Sequence, residues 1–220
     1  MDFEKARFNM VEQQVRPWDV LDPRVLAVLS EIPRENFTPD EYKNLAYVDT
    51  RIPLGSYQDH QCTMSNPVID GRTLQELNIQ EDDLILEIGT GSGYLTACLA
   101  KLGRHVDTVD INEDLTAMAE KNLQALGIDN VNLSTGDASK TWEQKQFYDV
   151  IVISAALPSV PDSYKKMLTI GGRMFVVTGE APLMTAHMVT RTDDENWEIT
   201  DLFETSIEPM IQETEEEFVF

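Results

Sequence analysis

The sequence predicts an α/β fold, with a mostly parallel, twisted sheet, helices on both faces and a helical extension at the N-terminus. The main observation is that short apolar runs alternate with helical patterns between residues 84 and 177. Strands that are separated by helices form parallel sheets, and both faces of such sheets are covered. The second observation is a glycine-rich turn after the first apolar run. The third is a pair of helical patterns in the first 30 residues.

The chain has the size and composition of one globular domain. It has 220 residues, of which 42% are hydrophobic and 25% are charged, and its net charge is −22. A strongly acidic chain is a poor partner for nucleic acid, since neutralising phosphates requires clustered Lys and Arg. The same charge is unfavourable at an anionic lipid surface. We therefore expect neither nucleic acid nor a membrane as a partner, while the oligomeric state stays open.

Two cysteines, Cys62 and Cys98, are too few for a disulfide framework, and the three histidines show no metal-ligand spacing with them. The first residues lack the basic and apolar regions of a signal peptide, and no stretch reaches the roughly 18 apolar residues of a membrane span. The sequence therefore predicts a cytoplasmic protein with reduced thiols and no metal site.

The first third of the chain reads as helices around a long loop. Apolar residues at helical spacing predict a helix over residues 3–15, and the Asp22-Pro23 pair predicts the start of a second helix that ends at residue 30. Residues 33–66 contain several prolines and a polar stretch, and are predicted to be mostly loop. A loop of this length in a compact domain is usually functional. Asn66-Pro67 predicts the cap and first residue of a helix that reaches about residue 77.

From residue 84 onward, the predicted elements alternate between strand and helix. We predict strands at 84–88, 106–109, 131–133, 150–153 and 173–177, and helices at 94–102, 113–126 and 161–168. Asn112 is the predicted cap of the second of these helices, and Gly127 ends it. Two final strands are predicted at 183–191 and 197–205.

The glycine-rich turn Glu87-Ile88-Gly89-Thr90-Gly91-Ser92-Gly93-Tyr94 is the strongest functional signal. It lies between a predicted buried strand and a predicted helix, where a turn of this kind and the free N–H groups of the helix receive a ligand. A dinucleotide site would have the third glycine one residue later. A purely structural turn is the other alternative, although alternating glycines weaken a helix start.

Two acidic positions follow later strands of the predicted sheet. Asp110 ends the second strand, about 20 residues beyond the glycines, where a carboxylate accepts both ribose hydroxyls of a nucleoside. A helix cap is the alternative role for Asp110, but Asn112 fits that role better. Gly136-Asp137-Ala138 follows the third strand, and could be either an adenine-lining segment or a simple turn.

The acidic-x-Gly-x-Gly-x-Gly pattern resembles the first motif of class I S-adenosylmethionine-dependent methyltransferases. Further stretches make the chain similar to one family of them, the protein-L-isoaspartate O-methyltransferases. The order and spacing of these stretches match over roughly residues 20 to 180. They are Val25-Leu26, Ile32-Pro33-Arg34-Glu35-Asn36-Phe37, Ala46-Tyr47, Ile52-Pro53-Leu54-Gly55, Thr63-Met64-Ser65-Asn66-Pro67, the glycine-rich turn, Ser154-Ala155-Ala156 and Gly171-Gly172-Arg173.

The resemblance implies a Rossmann-like class I methyltransferase that esterifies the α-carboxylate of isoaspartyl residues in damaged proteins or peptides. S-Adenosyl-L-methionine is the implied cofactor. The implied catalytic residues are Ser65, which would hydrogen-bond the substrate carboxylate, and Thr63, which would border the cofactor. The implied cofactor-binding residues are Met64, Glu87, Gly89, Thr90, Gly91, Ser92, Gly93, Asp110, Ile111, Asp137 and Ala138. Within a single domain, residues 1–80 would supply the N-terminal helices and a substrate loop, packed on a core formed by residues 81–220.

The chain departs from the family pattern in three places. The loop between Gly55 and Thr63 is about four residues longer, Ala138 stands where the family usually has glycine, and the segment beyond Gly179 matches poorly. Two alternatives therefore stay open. One is a methyltransferase with a different small-molecule or carboxylate acceptor, and the other is a non-catalytic module that binds the cofactor.

Acidic residues are concentrated near the C-terminus. The segment 193–217 contains eleven of them and no Lys or Arg. Such a run is usually a solvated face or tail. We expect it to disfavour acidic substrates through charge repulsion. The apolar residues 218–220 that follow are a possible docking segment.

Overall fold

The computed structural model describes residues 1–142 and 146–212. In these residues, the α-helices are α1 (Phe3–Met10), α2 (Pro23–Glu31), α3 (Pro67–Leu77), α4 (Tyr94–Leu102), α5 (Glu113–Ala125) and α6 (Asp162–Lys165), and a short π-helix, Val11–Val15, continues α1. The strands are β1 (Ile52–Tyr57), β2 (His60–Met64), β3 (Leu84–Ile88), β4 (His105–Asp110), β5 (Val131–Thr135), β6 (Tyr148–Ile153), β7 (Leu168–Glu180), β8 (Leu183–Arg191) and β9 (Trp197–Thr205).

The main sheet has seven strands in the order β5-β4-β3-β6-β7-β8-β9. The first five strands are parallel, and β8 and β9 continue the sheet as antiparallel strands. The strand order reverses direction between β3 and β6. In open parallel sheets, ligands bind at this point, beyond the carboxyl ends of the strands. The predicted fold class is confirmed.

Alternate residues of the central strands supply two hydrophobic clusters, one on each face of the sheet. In β6, Val150 and Val152 belong to the first cluster, while Ile151 and Ile153 belong to the second. This alternation follows from the two-residue period of a strand. Because both faces are buried, the strand is apolar at every position rather than at every second one.

The N-terminal third packs against the sheet in one continuous core. One buried cluster contains residues of both parts of the chain, each at most 1% exposed. From the N-terminal third it includes Leu29 of α2, Leu74 of α3 and Phe37, and from the rest Leu99 of α4 and Val152 of β6. The N-terminal helices therefore bury apolar surface together with the sheet. The proposed division of this domain near residue 80 stays a prediction.

Several helix ends agree with the residues that predicted them. The Asp22 carboxylate accepts a hydrogen bond from the Arg24 backbone N–H at 2.8 Å, and the Asn112 side chain accepts one from the Asp114 N–H at 2.9 Å. Gly127 has a φ of +66° just beyond α5, as expected for a glycine that ends a helix.

The prediction that residues 33–66 are mostly loop was wrong. The segment contains two short 3₁₀ helices, Arg34–Phe37 and Asp40–Leu45, and the antiparallel hairpin β1-β2. The two residues at the tip, Gln58 and Asp59, have φ values of +47° and +64°. Two consecutive positive φ values are typical of the tight turn that joins two antiparallel strands. The additional residues between Gly55 and Thr63 therefore lengthen a hairpin.

The predicted helix over residues 161–168 was too long. Helix α6 ends at Lys165, and Leu168 is the first residue of β7. Leu168 is fully buried and pairs with Tyr148 of the parallel neighbour β6. Its side chain thus enters the core from a strand.

Part of the acidic C-terminal run, and the whole apolar segment after it, lie at 213–220, outside the described residues. In the part of the chain that the structure does describe, no helix is long and apolar enough to cross a bilayer. The same residues contain no group of three or more His, Cys, Asp or Glu side chains placed to hold a metal ion.

The shared core predicts that truncating an N-terminal helix residue destabilises the whole protein. Leu29→Ala removes a fully buried side chain, and should lower the free energy of unfolding by about 2–5 kcal/mol in urea titrations. Leu21→Ala is the matched control, because Leu21 is 63% exposed, and should change it by less than about 0.5 kcal/mol. If Leu29→Ala had the same free energy of unfolding as Leu21→Ala, the shared core would be contradicted.

Candidate functional site

A cavity lies beyond the carboxyl ends of β3, β4 and β6. Its lining includes the glycine-rich turn and the end of hairpin strand β2. A segment near the C-terminus, residues 207–211, also lines the cavity. The cavity therefore lies at the position that the strand order predicts for a ligand.

The glycine-rich turn needs glycine at two positions for different reasons. Gly89 has a φ of +96°, a region that other residues rarely adopt. Gly93 has a φ of +84°, and a Cβ atom placed there would lie 3.0 Å from the Cβ of Ala119 in α5. The turn thus packs directly against the helix after β4, which brings the turn and Asp110 to the same cavity.

Asp110 joins the end of β4 to the glycine-rich turn. One carboxylate oxygen accepts the Gly91 N–H at 2.8 Å, and the other accepts the Asn112 N–H at 3.0 Å. Burial raises the pKa of Asp110, and these backbone hydrogen bonds oppose that rise. Each oxygen retains a lone pair for one more donor, so a diol could bind both oxygens of this cavity-lining side chain.

Glu87 lies beneath the turn rather than in the cavity wall. It is fully buried, and one of its oxygens accepts hydrogen bonds from the hydroxyls of Thr96 at 2.5 Å and Thr108 at 2.8 Å. Among the residues that the structure describes, its other oxygen has no hydrogen-bond partner. Thr90, a cavity-lining residue, bonds to Thr108 through its hydroxyl at 2.7 Å. Glu87 therefore supports the turn from below, through a chain of hydroxyls.

Burial raises the pKa of Glu87, and the two threonine hydrogen bonds lower it by less, so that the pKa is about 8. Asp110 and Asp70 raise it further by repulsion. A carboxyl group held in this way is largely protonated at neutral pH. A neutral acid in the support avoids placing a second negative charge beside Asp110.

The segment Thr63-Met64-Ser65 lines the same cavity as the turn. Its position depends on Arg34, a fully buried residue that donates a hydrogen bond to the Ser65 carbonyl. The Arg34 guanidinium also forms an ion pair with Asp70 at 2.6 Å and lies over the Tyr94 ring, 4.5 Å from its centroid. The Ser65 hydroxyl is thereby presented from a fixed backbone.

Asp70 is both the partner of Arg34 and a cavity-lining residue. Burial raises its pKa, while the charge and hydrogen bond of Arg34 and the Ser65 hydroxyl oppose the rise. This carboxyl group therefore connects the buried guanidinium to the serine hydroxyl. The arrangement offers polar, firmly held groups beside the turn.

Segment 207–211, which lines the cavity, is held in place by backbone hydrogen bonds and an ion pair. The Ala156 N–H donates to the Glu208 carbonyl, and the Met210 N–H donates to the Ala156 carbonyl, each at 2.8 Å. The Arg51 guanidinium, just before β1, pairs with the Glu208 carboxylate at 2.9 Å. The start of the hairpin and the C-terminal segment are thus joined by two residues of the cavity lining.

Most residues predicted for the site line this one cavity. The ten that do are Thr63, Met64, Ser65, Gly89, Thr90, Gly91, Ser92, Asp110, Ile111 and Ala138. Three others are not in the lining: Glu87 accepts from the Thr96 hydroxyl, Gly93 packs against Ala119, and Asp137 accepts the Ser139 N–H at 2.8 Å. The individual roles of all thirteen remain predictions.

Sequence reasoning assigned no role to four residues that shape the site. Arg34 stands within a quoted family motif, and Asp70 is the one acid in the first turn of α3, so a buried Arg–Asp pair could have been sought. Arg51 and Glu208 are 157 positions apart and gave no local signal.

Comparison with known proteins gives a family match over almost the whole chain. The sequence profile of the family described as protein-L-isoaspartate(D-aspartate) O-methyltransferase (PCMT) matches residues 6–215. A protein-L-isoaspartate O-methyltransferase of Petrotoga mobilis is 39% identical over 200 residues, which cover 90% of this chain and 92% of that protein. Its counterpart in Protochlamydia amoebophila is 36% identical over 203 residues, covering 92% and 95%.

Solved structures show the same fold. A candidate protein-L-isoaspartate O-methyltransferase of Plasmodium falciparum, in complex with S-adenosyl-L-homocysteine, superposes with a TM-score of 0.79 at 19% identity, and the match covers 97% of this chain and all of that one. Another protein-L-isoaspartate O-methyltransferase structure also gives 0.79, at 24% identity, covering 94% of this chain and 65% of the other. At these identities, the likeness establishes the fold.

The buried Glu87 predicts a specific dependence of stability on pH. Its folded-state pKa of about 8 exceeds the ordinary value of 4.5, so its contribution to stability is complete below about pH 4.5 and is lost as the pH rises through 8. Glu87→Gln mimics the neutral acid. In urea titrations, this variant should match the parent near pH 5 and exceed it at pH 9, by on the order of a few kcal/mol.

Glu81→Gln is the control, because Glu81 is exposed and the same change there should leave the pH profile unaltered. Parallel profiles for the parent and Glu87→Gln between pH 5 and 9 would show that Glu87 is ionised throughout.

Proposed function

The chain belongs to the protein-L-isoaspartate(D-aspartate) O-methyltransferase family, and we propose that it methylates the free α-carboxylate of isoaspartyl residues in damaged proteins, using S-adenosyl-L-methionine. One observation carries this proposal: the segment Thr63-Met64-Ser65, bonded to a buried arginine, lines one cavity together with the glycine-rich turn and Asp110. This supports an acceptor site and a nucleoside site in a single cavity.

The residues of the cavity fit the cofactor. Asp110 offers two carboxylate oxygens to ribose hydroxyls, and Gly89 and Gly91 let the backbone of the turn approach closely. Ile111 and Ala138 supply apolar surface beside Asp110 for an adenine ring. When bound, S-adenosyl-L-methionine supplies an activated methyl group on a positively charged sulfur.

The acceptor side of the cavity suits a carboxylate. A carboxylate is already an anion, so it needs no general base, and the described residues that line the cavity include no His or Lys. The Ser65 hydroxyl donates to the acceptor and orients one of its oxygens. Because the charges of acceptor and sulfonium cancel during transfer, a polar and stiff site without a charged catalyst is sufficient.

We expect the cavity lining to limit water around the reacting groups. Segment 207–211 and the end of the hairpin both line the cavity, and the Arg51–Glu208 pair joins these two segments. Excluding water strengthens the hydrogen bond from Ser65 and holds the acceptor close to the methyl group. Esterification of the isoaspartyl carboxylate then favours closure to a succinimide, from which the normal backbone is restored.

Removing the Ser65 hydroxyl should impair methylation of an isoaspartyl peptide. A hydrogen bond to a charged group contributes about 1.5–3 kcal/mol, so Ser65→Ala should lower kcat/KM by about 10- to 100-fold. The measurement is transfer of labelled methyl groups to an isoaspartyl peptide, with its aspartyl twin as the blank. Ser56→Ala, at an exposed serine of β1, is the matched control and should behave like the parent. A parent enzyme that methylates neither peptide would refute the proposed function.

Asp110 should govern cofactor binding separately from the acceptor. Asp110→Asn removes the negative charge and one acceptor oxygen, and should weaken binding of S-adenosyl-L-homocysteine by about 10- to 100-fold in calorimetry. Asp114→Asn is the control, since Asp114 is exposed in the first turn of α5. Equal affinities of the two variants would exclude Asp110 from the cofactor site.

A further inference from the structure

A second, open groove adjoins the cavity. Arg51 and Ile69 line both, and Ser65 in the cavity is followed directly by Asn66 in the groove. The chain likewise passes from Ser206 in the groove to Ile207 in the cavity. The full lining of the groove is Trp18, Asp49, Thr50, Arg51, Asn66, Ile69, Glu204, Thr205 and Ser206.

A polypeptide whose carboxylate reaches Ser65 continues on either side of the isoaspartyl residue, and these flanking residues need space outside the cavity. Residues one to three positions from the acceptor lie at most about 4–10 Å away along an extended chain. Since the groove and the cavity share two lining residues, flanking residues of such a polypeptide lie within reach of the groove.

The groove carries uncompensated negative charge. Asp49 and Glu204 are exposed, and within the described parts of the chain neither has a cationic group within 4 Å. Asp49 accepts a hydrogen bond from the Asn66 side chain at 2.6 Å, which holds its carboxylate at the junction with the cavity. These two acidic side chains are therefore available to pair with a cationic group of a ligand.

Two arginines, one in the groove lining and one bonded to Trp18, have carboxylate partners elsewhere. Arg51 is engaged by Glu208 at 2.9 Å. Arg72 is engaged by Glu76 at 2.6 Å, while its other nitrogen donates to the Trp18 carbonyl at 3.2 Å. Each arginine therefore has its own carboxylate, and neither of these partners is Asp49 or Glu204.

Trp18 gives the groove an aromatic wall. Its side chain is 52% exposed, which is unusual for the residue type with the largest apolar ring. An indole face beside carboxylates suits a long cationic side chain, because the ring attracts the charge and packs against the methylene stem.

We propose that this groove binds a lysine or arginine side chain of the polypeptide substrate, close in sequence to the isoaspartyl residue. This inference rests on the proposed function and deepens it, since it makes Asp49, Glu204 and Trp18 specificity-determining residues. Damaged sites that are flanked by basic residues are then the preferred substrates.

The test compares kcat/KM for isoaspartyl peptides that carry Lys, Ala or Glu within three residues on either side. At low salt, the parent should prefer the best Lys peptide over its Glu twin by about tenfold, and the preference should shrink as salt rises. Glu204→Gln and Asp49→Asn should each reduce this ratio by about two- to threefold, while leaving kcat/KM for the Ala peptide nearly unchanged.

Glu198→Gln is the matched control. Glu198 is exposed on the same strand as Glu204, and its replacement by Gln changes the net charge by the same amount. It lies six residues, or about 20 Å, from Glu204 along the strand and is not part of the groove lining. If the preference arose only from the overall acidity of the protein, Glu198→Gln would lower the ratio as much as Glu204→Gln. That result would overturn the role of the groove.

The two proposals fail in distinguishable ways. Methylation of the Ala peptide with no preference for Lys over Glu would overturn the groove and leave the proposed function intact. No methylation of any isoaspartyl peptide would overturn both. A Trp18→Ala variant gives an independent check, because it should reduce the preference for Lys without changing net charge.

Discussion

The site depends above all on a single buried positive charge. The Arg34 guanidinium has no exposure to solvent, and it contacts Asp70, the Ser65 carbonyl and the Tyr94 ring. A charge in the protein interior is tolerated only when its partners are well placed, and losing one partner costs about 3–5 kcal/mol. Arg34 therefore fixes the relative positions of a 3₁₀ helix, α3, α4 and the acceptor segment.

The buried arginine acts together with a negatively charged group, Asp110, which lines the same cavity. Asp110 binds the N–H groups of Gly91 and Asn112, so the glycine-rich turn and the start of α5 are both tied to the end of β4. Neither centre consists of side chains alone, because each holds backbone groups in place. A rigid backbone on both sides is what a reaction needs when its main requirement is alignment of two partners.

The sequence predicts the central elements well because their signals are local. Apolar runs define β3 and β6, and capping side chains at Asp22 and Asn112 mark helix starts. The hairpin β1-β2 escaped prediction because its turn is built from Gln58 and Asp59, without the glycine that usually reveals such turns. The Arg51–Glu208 pair also escaped prediction, because its two residues are far apart in sequence and only the fold brings them together.

The return of residues 207–211 to Ala156 also bears on how the protein is made. Domains begin to fold from the N-terminal side while synthesis is still under way. The sheet up to β7 can form early, but the cavity lacks a wall until Glu208 and Met210 pair with Ala156. A nascent chain thus acquires a complete ligand site only after translation has passed residue 211, so competence to bind comes later than most of the fold.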